Sequence, residues 1–180
     1  RTVIITGAAR GLGRAYALGF AAEGANVVVN DIGTSLGGEG RDTSAADAVV
    51  AEIKAAGGQA LANYEDITDW DAAKRIVDAA VAEFGDLHVV VNNAGISFYE
   101  RLEESSPEHW QRTFAVNLDA MYALTRLVVP HMRERNYGRI VNISSTQSLA
   151  AEATVGAYAA SKGAINAWSR SLAVDLARDG

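Results

Sequence analysis

Two five-residue runs, NVVVN at Asn26–Asn30 and HVVVN at 88–92, are apolar almost throughout instead of at every second position. A strand with one wet face alternates in polarity, whereas a run that is apolar at each step expects cover on both faces, the condition of a parallel sheet. Three more short runs, at 3–6, 59–64 and 139–144, are bounded by Gly, Asn or Asp and are too short for helices. Between the runs lie stretches of helical period at 12–23, 44–56, 69–84, 107–135 and 156–178. Ser106 ahead of Pro107 reads as an N-cap followed by Pro at the first helical position, and Gly57, Gly58, Gly85 and Gly138 fall where helices should stop. Strand and helix repeated five times predict one doubly wound α/β domain over residues 1–180.

Composition narrows the partners. Apolar residues at 49% and charged residues at 21% suit an ordinary packed core, not a disordered chain. With a net charge of −6 and its bases scattered among acids, the chain offers no face for nucleic acid. Cysteine is absent, which excludes disulfides and thiol chemistry. His88, His109 and His131 stand far apart without a metal-binding spacing, so no metal is expected. No signal-like segment precedes TVIITG and no apolar run is long enough for a bilayer, which predicts a cytoplasmic protein without a membrane partner.

The first run leads into TGAARGLG, with Gly7, Gly11 and Gly13. A glycine turn between a parallel strand and a helix lets the backbone approach a pyrophosphate, while the helix N-terminus supplies free N–H groups. Glycine also serves tight βα turns on steric grounds alone. Asp31 closes the second run 24 residues beyond Gly7, where a carboxylate can accept from ribose hydroxyls and repel a 2′-phosphate, favouring NAD over NADP. Arg10 points the other way, since its cation suits a phosphate; Asp31 is given the greater weight. The long segment 31–45 is either a mobile binding element or a tolerated surface insertion.

Near the end, YAASK puts Tyr158 and Lys162 one helical turn apart on one face. A neighbouring ammonium stabilises a phenolate and makes tyrosine a usable proton acceptor near neutral pH. Alcohol oxidation needs such a base, and carbonyl reduction needs its conjugate acid. Ser145, 13 residues upstream, is suited to hold a substrate oxygen by hydrogen bonding; Ser144 is its competitor. Asn117 is poorly suited to a helix interior, and taken alone it reads as a cap or kink.

In order and spacing, TGAARGLG, NNAG at 92–95, AVN ending at Asn117, NISS ending at Ser145 and YAASK resemble the short-chain dehydrogenase/reductase family across the whole chain. The Gly-rich segment after VVVND is most like the 3-hydroxyacyl-CoA dehydrogenase units of multifunctional β-oxidation enzymes and their bacterial relatives. The resemblance implies a Rossmann-like sheet of order 3-2-1-4-5 and an NAD-dependent oxidoreductase acting on a secondary alcohol or ketone, with a non-enzymatic NAD-binding scaffold as the alternative. Steroid-type or 3-oxoacyl-carrier-protein ketones are alternative substrates. It implies that Gly7, Arg10, Gly11, Leu12 and Gly13 cradle the cofactor, that Asp66 and Ile67 meet the adenine, and that Asn93, Ala94 and Gly95 line a ribose. By the same resemblance Ser145 is preferred to Ser144, Lys162 also binds the nicotinamide ribose, and Asn117 holds a water that relays protons to Lys162.

Two departures stand out. Leu149 and Ala150 occupy positions where relatives often carry Gly, and the chain ends before the family's sixth and seventh strands, so a C-terminally incomplete domain is expected. A homodimer or homotetramer is implied through 107–135 and 156–178, though Phe114, Met121 and Leu124 could equally face the chain's own sheet.

Overall fold

The computed structural model describes residues 1–35 and 37–179. Leu36, within the 31–45 segment, and Gly180, at the end of the expected domain, lie outside the described residues. The elements run β1 (Thr2–Thr6), α1 (Gly11–Ala22), β2 (Asn26–Asn30), α2 (Ser44–Ala55), β3 (Gln59–Asn63), α3 (Trp70–Phe84) and β4 (Val89–Asn92). Then come α4 (Pro107–Phe114), a π-helical turn (Ala115–Asp119), α5 (Ala120–Glu134), β5 (Arg139–Asn142), a 3₁₀ turn (Thr146–Ser148) and α6 (Gly156–Leu176).

All strand pairs are parallel and the order is β3-β2-β1-β4-β5, the doubly wound sheet that the apolar runs predict. Alternate residues of each run face opposite layers. Val3, Ile5, Val27, Val29, Val89 and Val91 pack with Ala17 of α1 and with Val49 and Ile53 of α2. Ile4, Val28 and Val90 pack with Ile76 of α3 and with Leu124 and Val128 of α5. Each of these large side chains, fully buried, contributes about 1.5–3 kcal/mol by leaving water. Leu124 and Met121 are both buried, so these two positions turn inward.

Four strands end on asparagine, and register matches them in pairs, Asn30 with Asn63 and Asn92 with Asn142. Asn30 Nδ2 donates to Asn63 Oδ1 at 2.8 Å and Asn92 Nδ2 to Asn142 Oδ1 at 2.9 Å. Asn142 Nδ2 continues to Ser169 Oγ of α6 at 2.9 Å. The C-terminal edge of the sheet is therefore polar but satisfied, as buried amides require.

The stretch 107–135 is not one helix. Ala120 N–H reaches back five residues to the Ala115 carbonyl, a π-type bond that widens the helix by one residue around Asn117.

Candidate active site

At the C-terminal end of β1 the chain turns through Gly7, whose φ of 63° favours glycine. Gly13 is required by packing: a Cβ there would stand 2.0 Å from the Gly7 carbonyl oxygen and 2.6 Å from Asn93 Nδ2. A Cβ on Gly11 would meet nothing within 4 Å, so the outer side of the turn is open. The first helix begins at Arg10 with no side-chain cap and no acid in its first turn, and Leu12 beside it is exposed. By contrast α3 and α4 are capped by Asp69 and Ser106 and carry Asp71 and Glu108 in their first turns. The first turn of α1 thus carries no acid of its own, and Asp31 reaches only as far as Ala9 N–H, which fits a diphosphate beyond it.

The ends of β1 and β4 are joined. Asn93 Nδ2 donates to the carbonyls of Thr6 at 2.9 Å and Gly7 at 3.0 Å, and Thr6 Oγ1 accepts from the N–H groups of Asn93 and Ala94. Asp31 joins β2 to the same turn: Oδ2 accepts from Ala9 N–H at 2.9 Å and Oδ1 from Gly33 N–H at 2.7 Å. Arg10, about half exposed, donates to the Thr34 carbonyl and to Asp42 Oδ2 at 3.2 Å. Asp66 stays exposed and accepts from Thr68 N–H and Oγ1, and Ile67 shares a small cleft with Ala94 and Thr6. The glycine turn, Asp31, Ile67 and the 93–94 segment therefore gather around one end of the sheet.

The second half of the site is built from the π turn and α6. Asn117 is fully buried, with Oδ1 accepting from Ile96 N–H at 2.8 Å and Nδ2 donating to the Ile96 carbonyl and to Ser161 Oγ, both at 3.0 Å. Ser161 in turn donates to the Tyr158 carbonyl at 2.7 Å. Both amide donors of Asn117 are spent, which leaves its side chain one Oδ1 lone pair for any water. Ser161 is the residue that the sequence reading passed over; a Ser on the same helical face as Tyr158, three residues on, was the available hint.

Lys162 is 3% exposed, and its Nζ donates to the Ile143 carbonyl at 2.7 Å, just beyond β5. The ammonium lies 5.5 Å from the centre of the Tyr158 ring. Burial lowers the Lys162 pKa to about 8. A Cβ on Gly95 would come within 3.4 Å of Asn117 Oδ1 and 3.7 Å of Lys162 Nζ, so these three residues converge. Ser145 caps the 3₁₀ turn by accepting from Gln147 N–H at 3.2 Å, which leaves its hydroxyl proton to donate. Ser144 instead gives its proton to the Lys162 carbonyl at 3.0 Å, which argues for Ser145 as the substrate-facing hydroxyl.

The arrangement is that of a dehydrogenase, and the chain belongs to the short chain dehydrogenase family, whose model matches residues 1–180. It is 40% identical to a peroxisomal hydratase-dehydrogenase-epimerase of Neurospora crassa over 96% of this chain and 19% of that protein. It is 46% identical to a putative short-chain type dehydrogenase/reductase of Mycobacterium tuberculosis over 83% of this chain and 52% of that one. A solved 7α-hydroxysteroid dehydrogenase, complexed with NADH and 7-oxo glycochenodeoxycholic acid, superposes with a TM-score of 0.91 at 33% identity, covering 100% of this chain and 67% of that chain. The chain thus spans between a fifth and about half of these two curated relatives, and the narrower likeness to multifunctional β-oxidation enzymes is borne out.

Proposed function

We propose that this protein interconverts a secondary alcohol and its ketone with NAD as cofactor, and that Tyr158 is its general acid/base. The observation carrying this is Lys162: a buried cation beside Tyr158 with no carboxylate against it among the described residues, held only by a backbone carbonyl. Such a charge is costly to bury, and it has a use next to a phenol that must ionise.

When bound, a nicotinamide supplies the hydride acceptor for oxidation and the donor for reduction. In the oxidising direction the Tyr158 phenolate takes the hydroxyl proton of the alcohol; in reduction the phenol returns it to the carbonyl oxygen. Ser145 donates to that same oxygen and keeps it near the phenol. Asn117, through Ser161, fixes the first turn of α6 and with it the backbone of Tyr158. The glycine turn with Leu12 would hold the diphosphate, Asp31 a ribose, Asp66 and Ile67 the adenine, Asn93 to Gly95 a second wall, and Lys162 the nicotinamide ribose. Asp31 and the engagement of Arg10 with Asp42 both favour NAD over NADP. A 3-hydroxyacyl thioester is the proposed substrate on the likeness to multifunctional enzymes, with a steroid-type ketone second on the likeness to the hydroxysteroid dehydrogenase. The proposed partners are that small molecule and further copies of this chain, in a cytoplasmic setting.

Tyr158→Phe tests the assignment. Turnover should fall by about 10²–10⁴-fold while NADH binding, followed by fluorescence, is retained; undiminished turnover would remove Tyr158 from the mechanism.

A further inference from the structure

The 31–45 segment, left open by the sequence, closes on itself beside the cofactor turn. Asp42 N–H donates to the Gly33 carbonyl at 3.1 Å, and a Cβ on Gly33 would stand 2.0 Å from the Asp42 carbonyl oxygen. With a φ of 76° as well, Gly33 is what lets the two legs of the segment touch. That contact fixes where the Asp42 side chain begins. Its Oδ1 is then held by Ser44, from the N–H at 3.1 Å and from the hydroxyl at 2.5 Å. Only Oδ2 is left to turn outward, and it meets Arg10 Nη2 at 3.2 Å. The second amino group of Arg10 is held by the Thr34 carbonyl at 3.1 Å.

Arg10 is the one basic residue in the glycine turn, immediately after Ala9, whose N–H is bound by Asp31. It therefore sits between two acids brought in from the same segment, one through the backbone and one directly. A 2′-phosphate adds a charge of about −1.5 to −2. To be held it would need a free guanidinium, and it would instead meet a cation already matched by Asp42 with Asp31 alongside.

We propose that Asp42 is a positioning residue for cofactor choice: it neutralises and orients Arg10, and so sets the protein against 2′-phosphorylated nucleotides. The proposal rests on the reading of the site as an NAD site. Both side chains are about half exposed, so the pair adds little to stability. Its effect is on a competitor for the same guanidinium, which is specificity by an occupied cation.

The test is a double-mutant cycle on the whole protein, read by calorimetric binding of adenosine 2′,5′-bisphosphate and of 5′-AMP. Asp42→Asn keeps an oxygen for Ser44 and removes the charge; it should tighten the bisphosphate by about fivefold and change 5′-AMP by less than about twofold. Arg10→Gln is the second arm of the cycle, and Arg10→Gln with Asp42→Asn should abolish the gain. An unchanged bisphosphate affinity in Asp42→Asn, or a gain that survives loss of Arg10, overturns the role of Asp42. A wild-type protein that prefers the bisphosphate to 5′-AMP overturns the NAD reading itself, and this role with it.

Discussion

Lys162 shows how much a single position carries. Its ordinary pKa of 10.5 falls to about 8 because burial penalises the ammonium. For a lysine with a lowered native pKa, the penalty on the fold is full below about 8 and is relieved as pH rises toward 10.5. Below about 8 the charged form is also the one that would favour a Tyr158 phenolate, so under the proposed mechanism the costly state and the useful state coincide. Nitrogen-detected NMR of the ligand-free protein should place the Lys162 midpoint near 8; a midpoint at 10 or above would contradict the desolvated site. The YAASK pairing was legible because i and i+4 share a helical face. Ser161 was not, because its worth lies in touching Asn117, 44 residues earlier. Asp42 was hidden for the same reason, standing 32 residues from Arg10 in an irregular segment.

The strands were the most legible elements. Cover on both faces makes the middle of a run apolar throughout, and asparagine closes it at the C-terminal edge of the sheet. Register follows from that edge, since Asn92 gives Nδ2 to both Asn142 and Thr125. Asn92→Leu should strand the Asn142 oxygen and cost about 1–3 kcal/mol, measured by urea unfolding; a loss below a few tenths would mean that water replaces the amide. The π turn was legible only as a cap or kink at Asn117, because one extra residue in a helix changes neither composition nor the polarity of its neighbours. Deleting Val116 should restore a continuous α-helix but rotate Asn117 by about 100° relative to α4. Turnover should then collapse while helical circular dichroism persists, and retained turnover would deny the turn its role in the site.

Across the whole molecule, the proposed site and an ion-pair cluster occupy opposite ends of the sheet. At the N-terminal side of β4, Asp86 accepts from His131 Nε2 at 2.8 Å, from Arg135 Nε and from Leu87 N–H, with His88 Nε2 at 3.7 Å. Burial pushes the Asp86 carboxyl upward, but the hydrogen bonds from His131, Leu87 and Arg135 outweigh it and bring the pKa from 3.8 to about 2. A lowered carboxylate contributes stability above 3.8 and loses it as pH falls toward about 2. After allowance for partial exposure this is about 1 kcal/mol. Asp86→Asn should lower the melting temperature at neutral pH and flatten the acid limb between 3.8 and about 2; identical limbs in both proteins would refute it. Among the described residues no helix is long and apolar enough to cross a membrane. The four residues of β4 hold this cluster roughly 10 Å or more from Asn93 and the glycine turn, beyond the range at which substitutions usually couple. Changes at the two ends should therefore add, so a substitution that retunes one end leaves the acid response of the other as it was.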